Sequence, residues 1–216
     1  MQMPPGMVIF DCDGVLVDSE PLTDRVLRRS LARYGLNIST EEVSGLFLGG
    51  TIAGVMQKAC DLGADLPDSW VDDIYAEIFE VLERDVEIVP GAAGVLDALD
   101  AAGILYAVGS NGPHRKMEIT LERTGLAGRL AGRVWSREDV PNPKPAPDVY
   151  LAAAQAAGVS PHRCVVVEDS PNGARAGVAA GMYTVGFAAQ TDRAALLEVC
   201  DAVFDAMPEL PALLGL

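Results

Sequence analysis

Short, continuously apolar runs alternating with helical stretches constrain this chain more than any other feature. Val8–Phe10, Ile104–Val108, Cys164–Val167 and Tyr183–Phe187 carry almost no polar residue, the texture of strands covered on both faces. Gly132–Ser136 and Ala202–Phe204 read as shorter strands. Helical stretches separate them: Pro90–Ala101, Lys116–Arg123, Pro147–Ala157, Ser170-Pro171 through Ala180, and Asp192–Val199. Strand–helix repetition of this kind demands right-handed crossovers, hence an α/β fold with a parallel sheet and helices on both faces. The first strand belongs to that sheet but is followed by helices only. Val26, Leu27, Ser30, Leu31 and Tyr34 recur at helical spacing. Ser39 and Glu42 make a capping box, and Thr51–Leu62 and Ser69–Arg84 are two further helices. In the last of these, Val71, Ile74, Tyr75, Ile78 and Val81 form the apolar stripe. Residues 18–86 are therefore expected to be an inserted all-helical domain, with 1–17 and 87–216 forming the core.

The 216 residues suffice for one large domain with a small insert. A formal charge of −15 argues against a nucleic-acid partner. It also requires a local positive feature, a metal ion or a placed lysine, to draw in an anionic substrate. Cys12, Cys60, Cys164 and Cys200 form no CxxC pair and match no zinc spacing, so reduced thiols and a cytoplasmic protein are expected. The start, MQMPPGMVIF, has neither a basic region nor a long apolar one, and no run approaches a membrane span. No signal peptide and no membrane partner are expected, and the protein is expected to be a monomer or small homo-oligomer.

In an open parallel sheet, ligands bind beyond the carboxyl ends of the strands. Four strand ends here lead into polar residues: Asp11 and Asp13; Ser110 and Asn111; Lys144; and Glu168 with Asp169. Each is ordinary alone. A lone DxD is usually a turn or cap, and Val15 rules out a calcium loop of the EF-hand type. Ser110-Asn111-Gly112 is a common turn, Lys144 sits in a proline-rich connector, and Glu168-Asp169-Ser170 reads as a helix cap. Together, at consecutive strand ends, they suit attack on a phosphate monoester. Asp11 would be the nucleophile and form an aspartyl phosphate. Asp13 would protonate the leaving oxygen and then activate water, with its backbone carbonyl available to a metal. Mg2+ would be held by Asp11, Asp13 and Asp169, with Glu168 ligating or orienting. Ser110 and the amides near Asn111 would bond phosphoryl oxygens, and Lys144 would supply fixed positive charge. Lys116 is expected to remain on its own helix, away from these groups.

DCDGVLVDSE (11–20), VGSNG (108–112), KPAPDVY (144–150) and VVVEDSPNGARAGVAAGM (165–182) resemble the four motifs of the haloacid dehalogenase superfamily, in order. The resemblance is to the phosphatase and beta-phosphoglucomutase-like branch with a helical cap after the first strand. It implies a Rossmann-like core, Mg2+ and a cap that opens and closes over the site. Dehalogenases proper lack the second aspartate, so Asp13 points to phosphoryl transfer. Beta-phosphoglucomutases carry a histidine in the first cap helix and an arginine after a Gly-x-Ser/Thr. The counterparts here are Thr23 and, after Gly49-Gly50-Thr51, Ile52. Hydrolysis is therefore expected over a sugar phosphomutase. A non-enzymatic sugar-phosphate-binding protein is the third alternative, disfavoured because every motif residue is present. The run Ser110-Asn111-Gly112-Pro113, followed by Lys116-Met117, resembles phosphatases of the 6-phosphogluconate type. The expected substrate is a small sugar or sugar-acid phosphate. Thr23, Gly49, Gly50, Thr51, Ile52 and Lys58 are the cap candidates for selecting it.

Overall fold

The computed structural model describes residues 4–39, 42, 43 and 51–216. Its sheet has six strands, all parallel: β1 (Met7–Phe10), β2 (Leu105–Ser110), β3 (Val134–Ser136), β4 (Cys164–Glu168), β5 (Tyr183–Phe187) and β6 (Ala202–Phe204). They lie in the order β3-β2-β1-β4-β5-β6. The sequence of β1 is central because it has no polar face to give to solvent. Val8 and Phe10 pack in one apolar cluster and Met7 and Ile9 in another, on opposite sides of the sheet. Phe10 is in register with Val108 on one side and Val167 on the other. The carboxyl ends of β1, β2 and β4 therefore share one edge, where the strand order switches direction.

Helices α4 (Ala92–Ala102) and α5 (His114–Arg123) place Val95, Leu96, Leu99 and Met117 in the first cluster. Helices α6 (Asp148–Ala156) and α7 (Pro171–Ala179) place Val149, Tyr150, Ala153 and Ala176 in the second. Between β1 and β2 lie α1 (Glu20–Arg33), α2 (Ile52–Asp61) and α3 (Trp70–Asp85). Helix α3 buries Trp70, Ile74, Ile78 and Leu82, one residue every four, while Val71, Tyr75 and Val81 are half-buried beside that stripe. Trp70 donates its indole N–H to Ser30 Oγ at 3.0 Å, which satisfies its buried ring nitrogen. The capping box forms, with Ser39 N–H donating to Glu42 Oε2 at 2.8 Å and Glu42 N–H to Ser39 Oγ at 3.2 Å.

The chain leaves and re-enters the sheet layer through two adjacent segments. Asp18 N–H donates to the Glu87 carbonyl at 2.9 Å, Val89 N–H donates to the Leu16 carbonyl at 3.0 Å, and Val17 bridges Ile88 antiparallel. Strand β2 runs two residues longer than its apolar pattern, through Gly109 and Ser110, because Ser110 pairs with Ser136 on β3. Helix α5 starts at His114, two residues before Lys116. No helix among the described residues is long and apolar enough to cross a membrane.

Candidate active site

One cavity opens over the shared strand edge, lined by Asp11, Asp13, Ser110, Asn111, Lys144, Glu168 and Asp169 together. Asp11 extends the β1 ladder by one bond, its N–H donating to the Val167 carbonyl at 2.9 Å. Its carboxylate is buried and meets the Lys144 ammonium at 2.6 Å. Lys144 Nζ also donates to Glu168 Oε1 at 2.6 Å. Asn111 fixes the segment carrying that lysine: its Oδ1 accepts the Lys144 N–H at 2.8 Å and its Nδ2 donates to the Lys144 carbonyl at 3.2 Å. Its side-chain amide therefore serves the lysine backbone. Ser110 Oγ accepts the Gly112 N–H at 3.0 Å, shaping the turn beyond β2.

Glu168 and Asp169 are neighbours in sequence with opposite circumstances. Both Glu168 oxygens are occupied, Oε1 by Lys144 and by the Tyr150 hydroxyl at 2.8 Å, Oε2 by the Ser170 N–H at 3.1 Å and its hydroxyl at 3.0 Å. Gly173 lets α7 start against this carboxylate, since a Cβ there would overlap it. Asp169 is also buried, yet its Oδ2 has no hydrogen-bond partner. Gly14, at φ 72°, turns beside it, and a Cβ there would overlap Asp169 Oδ2.

The electrostatics follow from this crowding. Burial first, then Glu168 and Asp13, push Asp11 from 3.8 up to about 7 despite the nearby Lys144. Burial and the Asp13 charge push Glu20 from 4.5 up to about 7. Burial, Glu20 and Glu168 hold Asp169 well above the usual carboxylate range. An unpartnered buried carboxylate oxygen amid other carboxylates fits a divalent cation. No three Asp, Glu, His or Cys side chains among the described residues enclose a point by themselves. That suits Mg2+, which keeps several waters and takes only one or two carboxylates besides substrate oxygens.

Several site residues are additional to the candidates named from the sequence. Lys116, expected to stay on its helix, is buried, and its ammonium meets Asp13 Oδ1 at 2.8 Å. Burial alone would lower its pKa, but the Asp13 carboxylate more than compensates and holds it above an ordinary lysine. Ser19 donates its hydroxyl to the same Asp13 oxygen. Glu20, Tyr75 and Ile78 also line the cavity, and Tyr150 reaches Glu168 from behind. Of the cap candidates, Thr23, Thr51 and Ile52 line the cavity. Lys58 is exposed and does not line it. Gly49 and Gly50 lie outside the described residues.

The family model for haloacid dehalogenase-like hydrolases matches residues 6–181. Hexitol phosphatase A of Escherichia coli (strain K12) is 35% identical over 204 residues, covering 94% of this chain and 91% of that protein. The 6-phosphogluconate phosphatase of the same organism is 29% identical over 208 residues, covering 95% and 93%. Among solved structures, a HAD family hydrolase from Deinococcus radiodurans R1 with bound phosphate and sodium superposes with a TM-score of 0.82 at 32% identity, covering 99% of this chain and 96% of that one.

Proposed function

The chain belongs to the haloacid dehalogenase-like hydrolases and is a phosphoric monoester hydrolase, and we propose that it hydrolyses a small sugar-type phosphate, with Mg2+, through a phosphorylated Asp11. The observation that carries this reading is the contrast at the shared strand edge. Asp11 and Glu168 are bonded to Lys144, whereas buried Asp169 keeps one oxygen bare. One carboxylate is set up to react, one to orient the lysine, and one to receive a cation.

In this mechanism Ser110 and the amides beyond β2 hold the phosphoryl oxygens, and the Lys144 ammonium offsets charge between them and Asp11. A carboxylate oxygen of Asp11 attacks phosphorus, and the bond from phosphorus to the ester oxygen breaks. The leaving alkoxide takes a proton from Asp13. Asp13 then takes a proton from a water whose oxygen attacks the phosphorus of the aspartyl phosphate, releasing inorganic phosphate and restoring Asp11. Asp11, Asp169 and the Asp13 carbonyl would hold Mg2+, which when bound neutralises charge between carboxylate and phosphoryl oxygens. Glu168, with both oxygens occupied, orients Lys144 and Tyr150 and does not ligate directly. The phosphatases among the relatives support the reaction class.

The test is phosphate release by the purified protein from a panel of sugar, polyol, sugar-acid and nucleoside phosphates, with Mg2+ and with EDTA. Release that needs Mg2+ and disappears in Asp11→Asn is expected. No release from any ester, or full activity in Asp11→Asn, would overturn the proposal.

A further inference from the structure

The lining that comes from α1, α2 and α3 carries its own chemical record. Five carboxylates line the cavity, Glu20 among them, against two cations, Lys116 and Lys144. Both cations are already engaged, Lys144 with Asp11 and Glu168 and Lys116 with Asp13. With all five carboxylates ionised, one divalent cation would still leave the lining negative before any substrate arrives. The residues outside the described set cannot reverse this, because residues 1–3, 40, 41 and 44–50 include no Lys, Arg or His. Arg137 stands behind Tyr75, donating to its hydroxyl at 3.3 Å, and does not line the cavity.

The remaining polar groups on this wall are neutral. Thr23 is buried, and its Oγ1 has no hydrogen-bond partner. An orphaned hydroxyl on a cavity wall is costly unless a ligand satisfies it. The Tyr75 hydroxyl accepts from Arg137, so its own proton is available to another acceptor. Thr51 Oγ1 accepts the Gly54 N–H at 3.1 Å and likewise retains a proton to donate. Ile52 and Ile78 add apolar lining. Neutral hydroxyls with a carboxylate acceptor, Glu20, match the alternating donors and acceptors of a polyol chain. A second phosphate or a carboxylate would find no unengaged cation on the lining and would face several carboxylates.

We propose that the leaving group is a neutral polyhydroxy alcohol, so that the substrate is a polyol or sugar monophosphate and not a sugar-acid phosphate or a bisphosphate. This deepens the phosphatase reading above and rests on it. It also departs from the 6-phosphogluconate-type expectation drawn from Ser110-Asn111-Gly112-Pro113 and Lys116-Met117.

The matched pair glucitol 6-phosphate and 6-phosphogluconate tests it. The two share a carbon chain and differ at the far carbon, CH2OH in one and carboxylate in the other. We expect kcat/KM about tenfold or more in favour of glucitol 6-phosphate, chiefly through KM. Calorimetry on the Asp11→Asn protein with Mg2+ makes the same comparison without turnover and should show the same order of affinity. Equal or better use of 6-phosphogluconate, or its equal or tighter binding, would overturn the proposal. Arg137→Gln gives a second measurement. If it removes activity or binding toward 6-phosphogluconate alone, Arg137 reads the carboxylate and the proposal falls; an unchanged ratio between the two ligands supports it. Failure of hydrolysis with the polyol still bound more tightly would sink the phosphatase reading, and with it the leaving-group assignment, while leaving the binding preference of this wall for a neutral polyol in place.

Discussion

Asp169→Asn should stabilise the metal-free protein while ending its response to Mg2+. Asp169 is buried with one bare oxygen, and its carboxyl is pushed up by burial and then by Glu20, Glu168 and Asp11. The same crowding lifts Asp11 from 3.8 to about 7 and Glu20 from 4.5 to about 7. All three shifts are upward from the unfolded values. For Asp11 and Glu20 the stability tied to the protonated forms is therefore complete below about pH 4 and is lost as pH rises through about 7; Asp169, held well above its ordinary value, adds a loss of the same sign. At pH 8 the metal-free protein carries the penalty of ionised Asp11 and Glu20, on the order of 4 kcal/mol for a carboxyl moved as far as Asp11. The three groups share their repulsion, so removing one charge should recover only part of it, about 1–3 kcal/mol. For a chain of this length that is roughly 3–10 °C in Tm.

Thermal melts of both proteins, at about pH 5 and about pH 8, each in EDTA and in excess MgCl2, read this directly. In EDTA the parent should melt lower at the higher pH, and Asp169→Asn should exceed it there and match it more closely at the lower pH. MgCl2 should raise the parent at the higher pH and leave the variant unchanged, with phosphatase turnover reduced by a factor on the order of 10^3. A variant that melts below the parent in EDTA at about pH 8, or one that Mg2+ stabilises as much as the parent, would refute the reasoning.

Lys144→Met should be costly twice over, because it strands Asp11 and Glu168 without their shared cation. A loss of about 3–5 kcal/mol by denaturant titration is expected, together with turnover too low to measure. Tyr150→Phe removes one bond to Glu168 and should cost about 1–3 kcal/mol by the same titration. Lys116→Met removes the ammonium that faces Asp13. It should slow alkyl phosphates, whose leaving oxygen needs a proton, by about tenfold or more beyond its effect on p-nitrophenyl phosphate; equal slowing of both would remove Lys116 from the proton step. Gly14→Ala, with its Cβ forced against Asp169 and φ 72° strained, should weaken Mg2+-induced stabilisation measured by the same melts.

How far the sequence alone reaches depends on the kind of contact. Val8–Phe10 and Cys164–Val167 announced buried strands because they lack any polar face, and a parallel sheet necessarily collects their carboxyl ends on one edge. That topology is why Asp11, Ser110, Lys144 and Asp169 were legible as one site across more than a hundred residues of chain. Lys116 was not legible, because its reach depends on where α5 begins and how it tilts over the turn beyond β2. With α5 starting at His114, Lys116 falls in the first helical turn. Tyr75 shows only as part of an apolar stripe, and Glu20 only as the last residue of DCDGVLVDSE, because periodicity reports which face is buried and not what that face meets. The division between Glu168 and Asp169 is not legible for a similar reason. It turns on Tyr150 and Ser170, whose three hydrogen bonds to Glu168 no hydrophobic periodicity encodes.

The two aspartates that open the site are held by different parts of the molecule, and the proposed chemistry uses that difference. Asp11 is fixed within the sheet layer, by the Val167 carbonyl behind it and by Lys144, itself clamped through Asn111. Asp13 sits past Cys12 in a turn and takes its partners from Lys116 on α5 and from Ser19 at the head of α1. The nucleophile is thus referenced to the sheet, whereas the proton carrier is referenced to the first residue leading into the helical segment. Thr23, one turn further along α1, lines the same cavity. A leaving group that engages Thr23 therefore presses on the helix whose N-terminal serine orients Asp13. A poorly fitting alcohol would be expected to misplace the proton more than the nucleophile, so selection should appear in the leaving-group step and be weakest for esters that leave without a proton.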